Sequence, residues 1–385
     1  MTRQPATALL IERRLTHYRV PMLECLRAEL DKENVRLRFL HGQPTPTELE
    51  KRDEGYIPWA ETVTNRYWRV GGKDLCWQML PKNSRAADLV ILNQENSLLS
   101  NFPLLLNRVG TRPQLAYFGH GANLQSNRPD GVRERFKRWT TNHVDWWFAY
   151  TRISADLVVA SGFPRERVTD VENAVDTSAL RADLDSITEA ELAGTRTQLD
   201  LVGKQVALYL GSLYSEKRLD ILIETADRLH AKDASFRLLV VGDGPQRDEI
   251  ASACKRRPWC VWVGAKTGRA KALYLKLADV MLNPGVVGLG ILDSFSAGVP
   301  MVTTDTRGHG PEIAYLRPNE NGLVATNNVP DFVNTVAALL ADQQTRLKLA
   351  AACRQDASRY TAENMAKRFA AGIIQCLASQ VGKAA

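Results

Sequence analysis

The chain has 385 residues, of which 44% are hydrophobic and 24% charged, and a formal net charge of +7. That is ordinary globular composition, and the length favours two domains, because single cores seldom grow past roughly 250–300 residues. No apolar run approaches the roughly 18 residues that a membrane-spanning helix needs.

The N-terminus lacks a long apolar core and a small-residue cleavage site, so no secretory signal is read. Six scattered cysteines (Cys25, Cys76, Cys254, Cys260, Cys353 and Cys376) have neither zinc-site nor redox spacing and fit reduced thiols in a cytoplasmic protein.

Short apolar runs then alternate with longer amphipathic stretches. Residues 8–11 read as a first strand. Residues 21–30 read as a helix, with Met22, Leu23, Leu26 and Leu30 at helical spacing. Further strands are expected at 36–40, 89–92, 115–118, 146–149 and 168–171, while 42–73 is polar and reads as an insertion near a binding cleft. Alternating strands and helices imply βαβ units and a mostly parallel sheet.

Arg128, Arg133, Arg135, Lys137 and Arg138 form a dense basic run, followed closely by Trp139, Trp146 and Trp147. Such a stretch suits an anionic membrane surface; a solvated helix face followed by a buried strand is the plainer alternative. No nucleic-acid motif accompanies it, so nucleic acid is not an expected partner.

Residues 176–199 are rich in Asp, Glu, Ser and Thr and contain no strand-like run. The domain boundary is placed there, giving an N-terminal domain of 1–178 and a C-terminal one of 179–359. A second alternating set follows, with strands at 206–210, 236–241, 261–263, 280–282 and 301–304 and helices at 218–229, 246–254 and 289–297. From residue 329 the tail reads as three helices, the last strongly amphipathic through Met365, Phe369, Ile373 and Cys376.

Three glycine-bearing turns in this second half follow strands, where open α/β sheets bind ligands. They are Gly211-Ser212-Leu213, leading into Lys217 and Arg218; Gly242-Asp243-Gly244-Pro245; and Pro284-Gly285-Val286-Val287-Gly288-Leu289-Gly290, which opens a helix. A glycine-rich helix start offers free N–H groups and a positive dipole end to an anion. With the charges of Lys217 and Arg218, a diphosphate is the natural ligand. Asp243 reads as a turn residue. Asp183-Leu184-Asp185 has the carboxylate spacing of metal-dependent transferases but sits in the acidic boundary stretch, so it reads as solvated surface. No other cluster has metal-site spacing.

The order of these motifs resembles the family 4 glycosyltransferases. The segments that carry the likeness are LYLGSLYSEKRLDILIE, VVGDGP, LYLKLADVMLNPG, PGVVGLGILDSFSAGVPMVTTD, HGPEI and ENGLV, with VENAVD and GHG upstream. The resemblance implies the GT-B fold, two Rossmann-like doubly wound domains facing across a cleft, with the final helix (360–385) packing back on the first. It implies transfer from a nucleotide-sugar donor, with retention and without metal or other cofactor. The acceptor would be a glycan or lipid-linked saccharide of cell-surface polysaccharide synthesis, met in the cytoplasm or at the inner face of its membrane.

By the same resemblance Lys217 and His120 are the catalytic candidates. Gly211, Ser212, Arg218, Gly242, Gly285, Val287, Gly288, Leu289, Asp293 and Glu312 are the donor-side candidates. Glu312 also reads as a helix-start carboxylate. Glu95 and Asn123 are acceptor-side candidates, Glu95 being equally a loop carboxylate.

Three positions depart from the family, and so does the opening loop, where Thr16, His17 and Tyr18 stand in place of a glycine-rich turn. Gly285 stands where the first signature glutamate belongs, Asp293 replaces the second, and Ser212 stands where an arginine is usual. A nucleotide-sugar epimerase of the same fold, or a non-catalytic binder, are the alternatives. An NAD-type oxidoreductase would need a glycine fingerprint after the first strand, and IERRLTHYR has none.

Overall fold

The computed structural model describes residues 4–49, 53–106, 113–121 and 139–381. The chain forms two compact units, one of 1–176 with 361–385 and one of 177–360.

The first unit is built on a seven-stranded, all-parallel sheet. Its order is β3-β2-β1-β6-β7-β8-β9. The strands are β1 (Ala6–Arg14), β2 (Val35–Gly42), β3 (Glu61–Thr62), β6 (Leu89–Asn93), β7 (Gln114–Gly119), β8 (Trp146–Ala149) and β9 (Val168–Asp170). Between β3 and β6 an antiparallel hairpin stands apart, formed by β4 (Asn65–Val70) and β5 (Lys73–Gln78). Two long helices, α1 (Val20–Lys32) and α2 (Arg152–Ala160), cross between strands.

Parallel strands are buried on both faces and so read as continuous apolar runs. β8 is buried at every position, Trp146 and Trp147 included. The Trp146 indole N–H donates to Thr169 Oγ1 at 2.8 Å and that of Trp147 to the Thr141 carbonyl at 2.9 Å. This corrects the reading of that stretch as a membrane-facing aromatic group: two of its three tryptophans are core residues. The basic run itself, with Asn123, lies outside the described residues.

The second unit has a six-stranded parallel sheet in the order β12-β11-β10-β13-β14-β15. Its strands are β10 (Gln205–Leu210), β11 (Phe236–Val241), β12 (Cys260–Trp262), β13 (Val280–Asn283), β14 (Met301–Thr304) and β15 (Gly322–Ala325). This 3-2-1-4-5-6 arrangement reverses direction between β10 and β13, and ligands of such sheets bind outside the carboxyl ends of the strands at that switch point.

The acidic stretch read as a boundary folds into α3 (Ser178–Ser186) and α4 (Glu189–Gln198), because Leu180, Leu184, Ile187 and Leu192 supply one apolar stripe. Thr188 and Glu191 close a capping box at the start of α4. Helices α5 (Leu219–Lys232), α6 (Arg247–Lys255), α7 (Gly268–Leu277), α8 (Gly290–Ala297), α9 (Val329–Ala341) and α10 (Gln343–Ala357) complete this unit. The two-unit α/β architecture is the GT-B fold. Among the described residues no helix is long and apolar enough to cross a membrane.

The last helix, α11 (Ala362–Val381), belongs to the first unit and packs on α1. Met365, Phe369, Ile373 and Cys376 are fully buried, and Phe369 stacks at 4.4 Å on Phe148 and 5.1 Å on Phe118. Gly372 lets the helix settle on β8 and β9: a Cβ there would lie 2.7 Å from the Phe148 ring and 3.0 Å from Thr169 Cβ. Overpacking of this kind costs about 1–3 kcal/mol. Gly372→Leu is therefore expected to lower the thermal unfolding midpoint of the first unit, and an unchanged midpoint would show that α11 has room to move.

Candidate active site

On the second unit, the carboxyl ends of β10, β11 and β13 carry the three glycine turns. The first two are locked to each other through backbone. Gly211 N–H bonds the Val241 carbonyl at 3.0 Å, and Leu213 N–H the Asp243 carbonyl at 2.9 Å. A Cβ on Gly242 would overlap the Gly211 carbonyl, and one on Gly244 would sit 2.8 Å from Leu213 N. These glycines are required by that close approach. Asp243 caps its own turn by accepting the Gly244 N–H at 2.7 Å. Ser212 lies exposed on the turn, and its carbonyl accepts the Tyr209 hydroxyl at 2.8 Å.

Lys217 is the centre of the arrangement. Its ammonium donates to the Val286 carbonyl at 2.6 Å and lies 5.5 Å from the Tyr214 ring centroid. No carboxylate among the described residues forms an ion pair with it. Burial alone pulls its pKa down to about 8, as expected for a cation withdrawn from water without a counter-charge.

Arg218 does not join it. Its guanidinium is engaged by Asp220 at 3.3 and 3.4 Å, and its backbone takes a left-handed turn (φ 53°) that starts α5. Of its two readings from the sequence, a charge beside Lys217 or a solvent-facing side chain, the structure shows the second, with Asp220 as the partner.

The third turn wraps the lysine. Gly285 is pressed onto the backbone of Glu216 and Lys217, and any Cβ would overlap it. Position 285 therefore admits no side chain unless that backbone shifts. Gly288 and Gly290 are different, since a Cβ on either would meet nothing within 4 Å. The N–H groups of Gly288, Leu289 and Gly290 bond no described residue, being the unsatisfied donors of the start of α8.

Val287 N–H is not available. It donates to His309 Nδ1 at 3.0 Å, while His309 Nε2 bonds the Thr304 carbonyl at 2.9 Å. This fixes the imidazole as neutral with its proton on Nε2, in keeping with a pKa lowered by burial and by the charge of Lys217. The sequence had marked Val287 as a donor-side contact; here its amide is spent on the loop. His309, in the HGPEI segment, was missed, and its signal was a histidine just past a strand end.

Asp293, in the first turn of α8, accepts Lys271 Nζ at 2.8 Å. This partner comes from α7 and was also missed. Glu312 is buried in the short helical turn Pro311–Tyr315, and its Oε2 lies 2.8 Å from where a Gly310 Cβ would be.

On the first unit, His120 follows β7. Its ring stands 4.4 Å from that of Tyr150, and its pKa is lowered by burial and by the charge of Arg19. Both flanking glycines are held by Gln94, a residue the sequence reading passed over. A Cβ on Gly119 would lie 2.8 Å from Gln94 Cβ, and the Gln94 amide exchanges bonds with Gly121 at 2.9 and 3.3 Å.

Arg19 is buried among the rings of Phe118, Tyr150 and Tyr18 and donates to Asn173 Oδ1 at 2.8 Å. Glu95 accepts Arg13 Nε at 3.0 Å and Asn93 Nδ2 at 3.2 Å, so its charge is already matched. Glu12, at the end of β1, is buried, and desolvation raises its pKa. Among the described residues no group of three or more His, Cys, Asp or Glu side chains is arranged to hold a metal ion.

Residues 204–342 match the family model described as "Glycosyl transferases group 1". The chain is 24% identical over 333 residues to the 2-deoxystreptamine glucosyltransferase of Streptomyces kanamyceticus, covering 82% of each protein. It is 26% identical over 161 residues to the sulfoquinovosyl transferase SQD2 of Arabidopsis thaliana, covering 41% of this chain and 31% of that one; the matched part thus spans about a third of that relative's length. Among solved structures, Anabaena HepE in complex with UDP superposes with a TM-score of 0.67 at 16% identity, covering 96% of this chain and all of that one.

The packing of Gly285 makes a sharp expectation. Gly285→Ala must displace the Lys217 backbone, at about 1–3 kcal/mol for overpacking. Its melting temperature should fall, and the thermal stabilisation that a nucleoside diphosphate confers should shrink. Gly288→Ala should melt like wild type. Equal behaviour of the two variants would mean that the loop yields freely at 285.

Proposed function

We propose that this protein is a glycosyltransferase. It takes a sugar from a nucleoside diphosphate donor bound on the second unit. It passes that sugar, with retention and without a metal, to a glycan or lipid-linked acceptor in cell-surface polysaccharide synthesis, at the cytoplasmic face of the membrane. The observation that carries the reading is Lys217, a half-buried cation with no carboxylate partner among the described residues, wrapped by the loop whose N–H groups at the start of α8 bond no described residue. Such a site is unsatisfied until an anion arrives, and a diphosphate supplies charge and acceptor oxygens together.

When the glycosidic bond breaks, negative charge grows on the departing diphosphate. Lys217 and the N–H groups of Gly288, Leu289 and Gly290 stabilise that charge more than they stabilise the intact donor. Asp293 receives the ribose hydroxyls while sharing its charge with Lys271, and Glu312 lies toward the sugar. The first unit supplies the acceptor side, with His120 as the polar group for the acceptor and Glu95 as a further acceptor contact. Complexes of HepE with UDP make UDP the first nucleotide to test. The sequence relatives named above are transferases, which favours transfer over the epimerase and non-catalytic alternatives.

Loss of one donor of this kind costs roughly 100- to 1000-fold in turnover. Lys217→Ala is expected to lose that much in kcat at saturating donor with its fold intact, and a loss under about tenfold, or roughly 1.4 kcal/mol, places the diphosphate elsewhere. The pKa adds a second readout. Only the ammonium form attracts the anion, so wild-type affinity for a nucleoside diphosphate should fall as pH rises through about 8, and Lys217→Ala should lose that dependence. The linked effect on stability has the opposite slope: the folded pKa is depressed, so burial costs stability below about pH 8 and the cost fades above it.

Metal independence is tested directly. Transfer should persist in excess EDTA; activity that vanishes there and returns with magnesium or manganese would overturn this mechanism.

A further inference from the structure

The hairpin of the first unit carries an aromatic and basic surface to which the proposed mechanism assigns no role. β4 and β5 pair in register, so Arg66 stands opposite Trp77 and Trp68 opposite Leu75. Directly opposed residues share one face, and Val70 lies on the same face by the period of two. Both turn glycines, Gly71 and Gly72, have positive φ (57° and 76°), as a two-residue type I′ turn requires, and the tip is open to solvent.

The buried side of the hairpin explains how it is held. Tyr67 bonds the Gln43 carbonyl at 2.7 Å, and Gln78 Nε2 bonds the Glu12 carbonyl at 3.0 Å. The other side is left in water: Trp68, Val70, Trp77 and Met79 are 48%, 59%, 37% and 46% exposed. Such a concentration of large apolar side chains on one small element marks a contact surface.

Three exposed cations accompany it. Arg66, Lys82 and Arg85 form no ion pair with any described carboxylate. Trp77 also walls a groove of about 390 Å³ whose lining includes Met79, Pro81, Lys82, Arg85 and Leu104.

We propose that this face docks on an anionic lipid bilayer, with Trp68, Val70 and Trp77 entering the headgroup region and Arg66, Lys82 and Arg85 meeting lipid phosphates. Tryptophan settles at the headgroup level, where its ring is partly apolar and its N–H finds water. Unpaired cations add attraction to a negative surface. An oligonucleotide would use the rings and the charges too, but it offers nothing to Val70 at the tip or to the apolar floor of the groove. The inference rests on the reading of the acceptor as one presented at a membrane, and it supplies the surface that brings the protein there.

The test is flotation of the full chain with vesicles of phosphatidylcholine alone or mixed with phosphatidylglycerol. Recovery should need the anionic lipid and fall with rising salt, because screening shortens the reach of the cations. The double variants Trp68→Ala/Trp77→Ala and Lys82→Glu/Arg85→Glu should each lower partition by about tenfold or more. Their thermal unfolding and their stabilisation by UDP should match wild type. No recovery with anionic vesicles, or variants that float like wild type, would overturn the proposal. So would variants that lose binding to a single-stranded oligonucleotide while keeping vesicle binding. The assay contains neither donor nor acceptor, so failure here leaves the transfer reading standing, and an inactive enzyme that still floats leaves the membrane face standing.

Discussion

A lysine ammonium withdrawn from water and given only a backbone carbonyl is the constraint from which the second unit's chemistry follows. Lys217 keeps one short bond, to Val286, and no carboxylate among the described residues balances its charge. Burying a cation in this way is expensive, and the chain sustains it because the surroundings are fixed by backbone. The amide of Val286 in turn bonds the Glu216 carbonyl at 3.0 Å, so the helical turn that carries the lysine and the wrapping loop are tied in both directions. His309 ties the next residue, and Thr304 Oγ1 bonds the Pro284 carbonyl at 2.7 Å. A binding site made this way is organised before its ligand arrives, so little of the interaction is consumed in ordering it.

Glycine does two different jobs in this neighbourhood. Gly242, Gly244 and Gly285 are small so that backbone can meet backbone. Gly288 and Gly290 are small beside open space at a helix start. Only the second kind exposes amide groups to a visitor. A fixed glycine-rich pattern contains both kinds, and the distinction is invisible until each Cβ direction is known.

That difference also marks what the sequence made legible. The strands of both sheets could be read because parallel strands buried on two faces are unbroken apolar runs, as in Leu238–Val241 within β11. The turns followed, since a glycine after such a run sits at a strand's carboxyl end. β3 was missed because it has two residues, and β15 because its apolar run is only Leu323–Ala325. The hairpin was hidden by polarity: its exposed face breaks the alternation with arginine and tryptophan. The stretch holding α3 and α4 reads only as a boundary, because its acidic composition outweighs the stripe of Leu180, Leu184, Ile187 and Leu192. Pairings across the fold lay further out of reach. Lys271 and Asp293 are on separate helices, and nothing local announces that one will neutralise the other. Arg218 illustrates the reverse case: its charge was plain in the sequence, but Asp220, two residues on, had the shorter path to it.

The return of α11 to the first unit makes the second unit an insertion within it. On the ribosome the order of completion is then inverted. Residues 177–360 hold every strand of their own sheet and can close as soon as they emerge. The first unit, whose strands are synthesised earlier, must wait for α11 before its packing on α1 is complete. During that interval the nascent protein carries a sticky, half-finished domain ahead of a finished one. Whatever shields the unfinished surface of α1 must do so until α11 emerges.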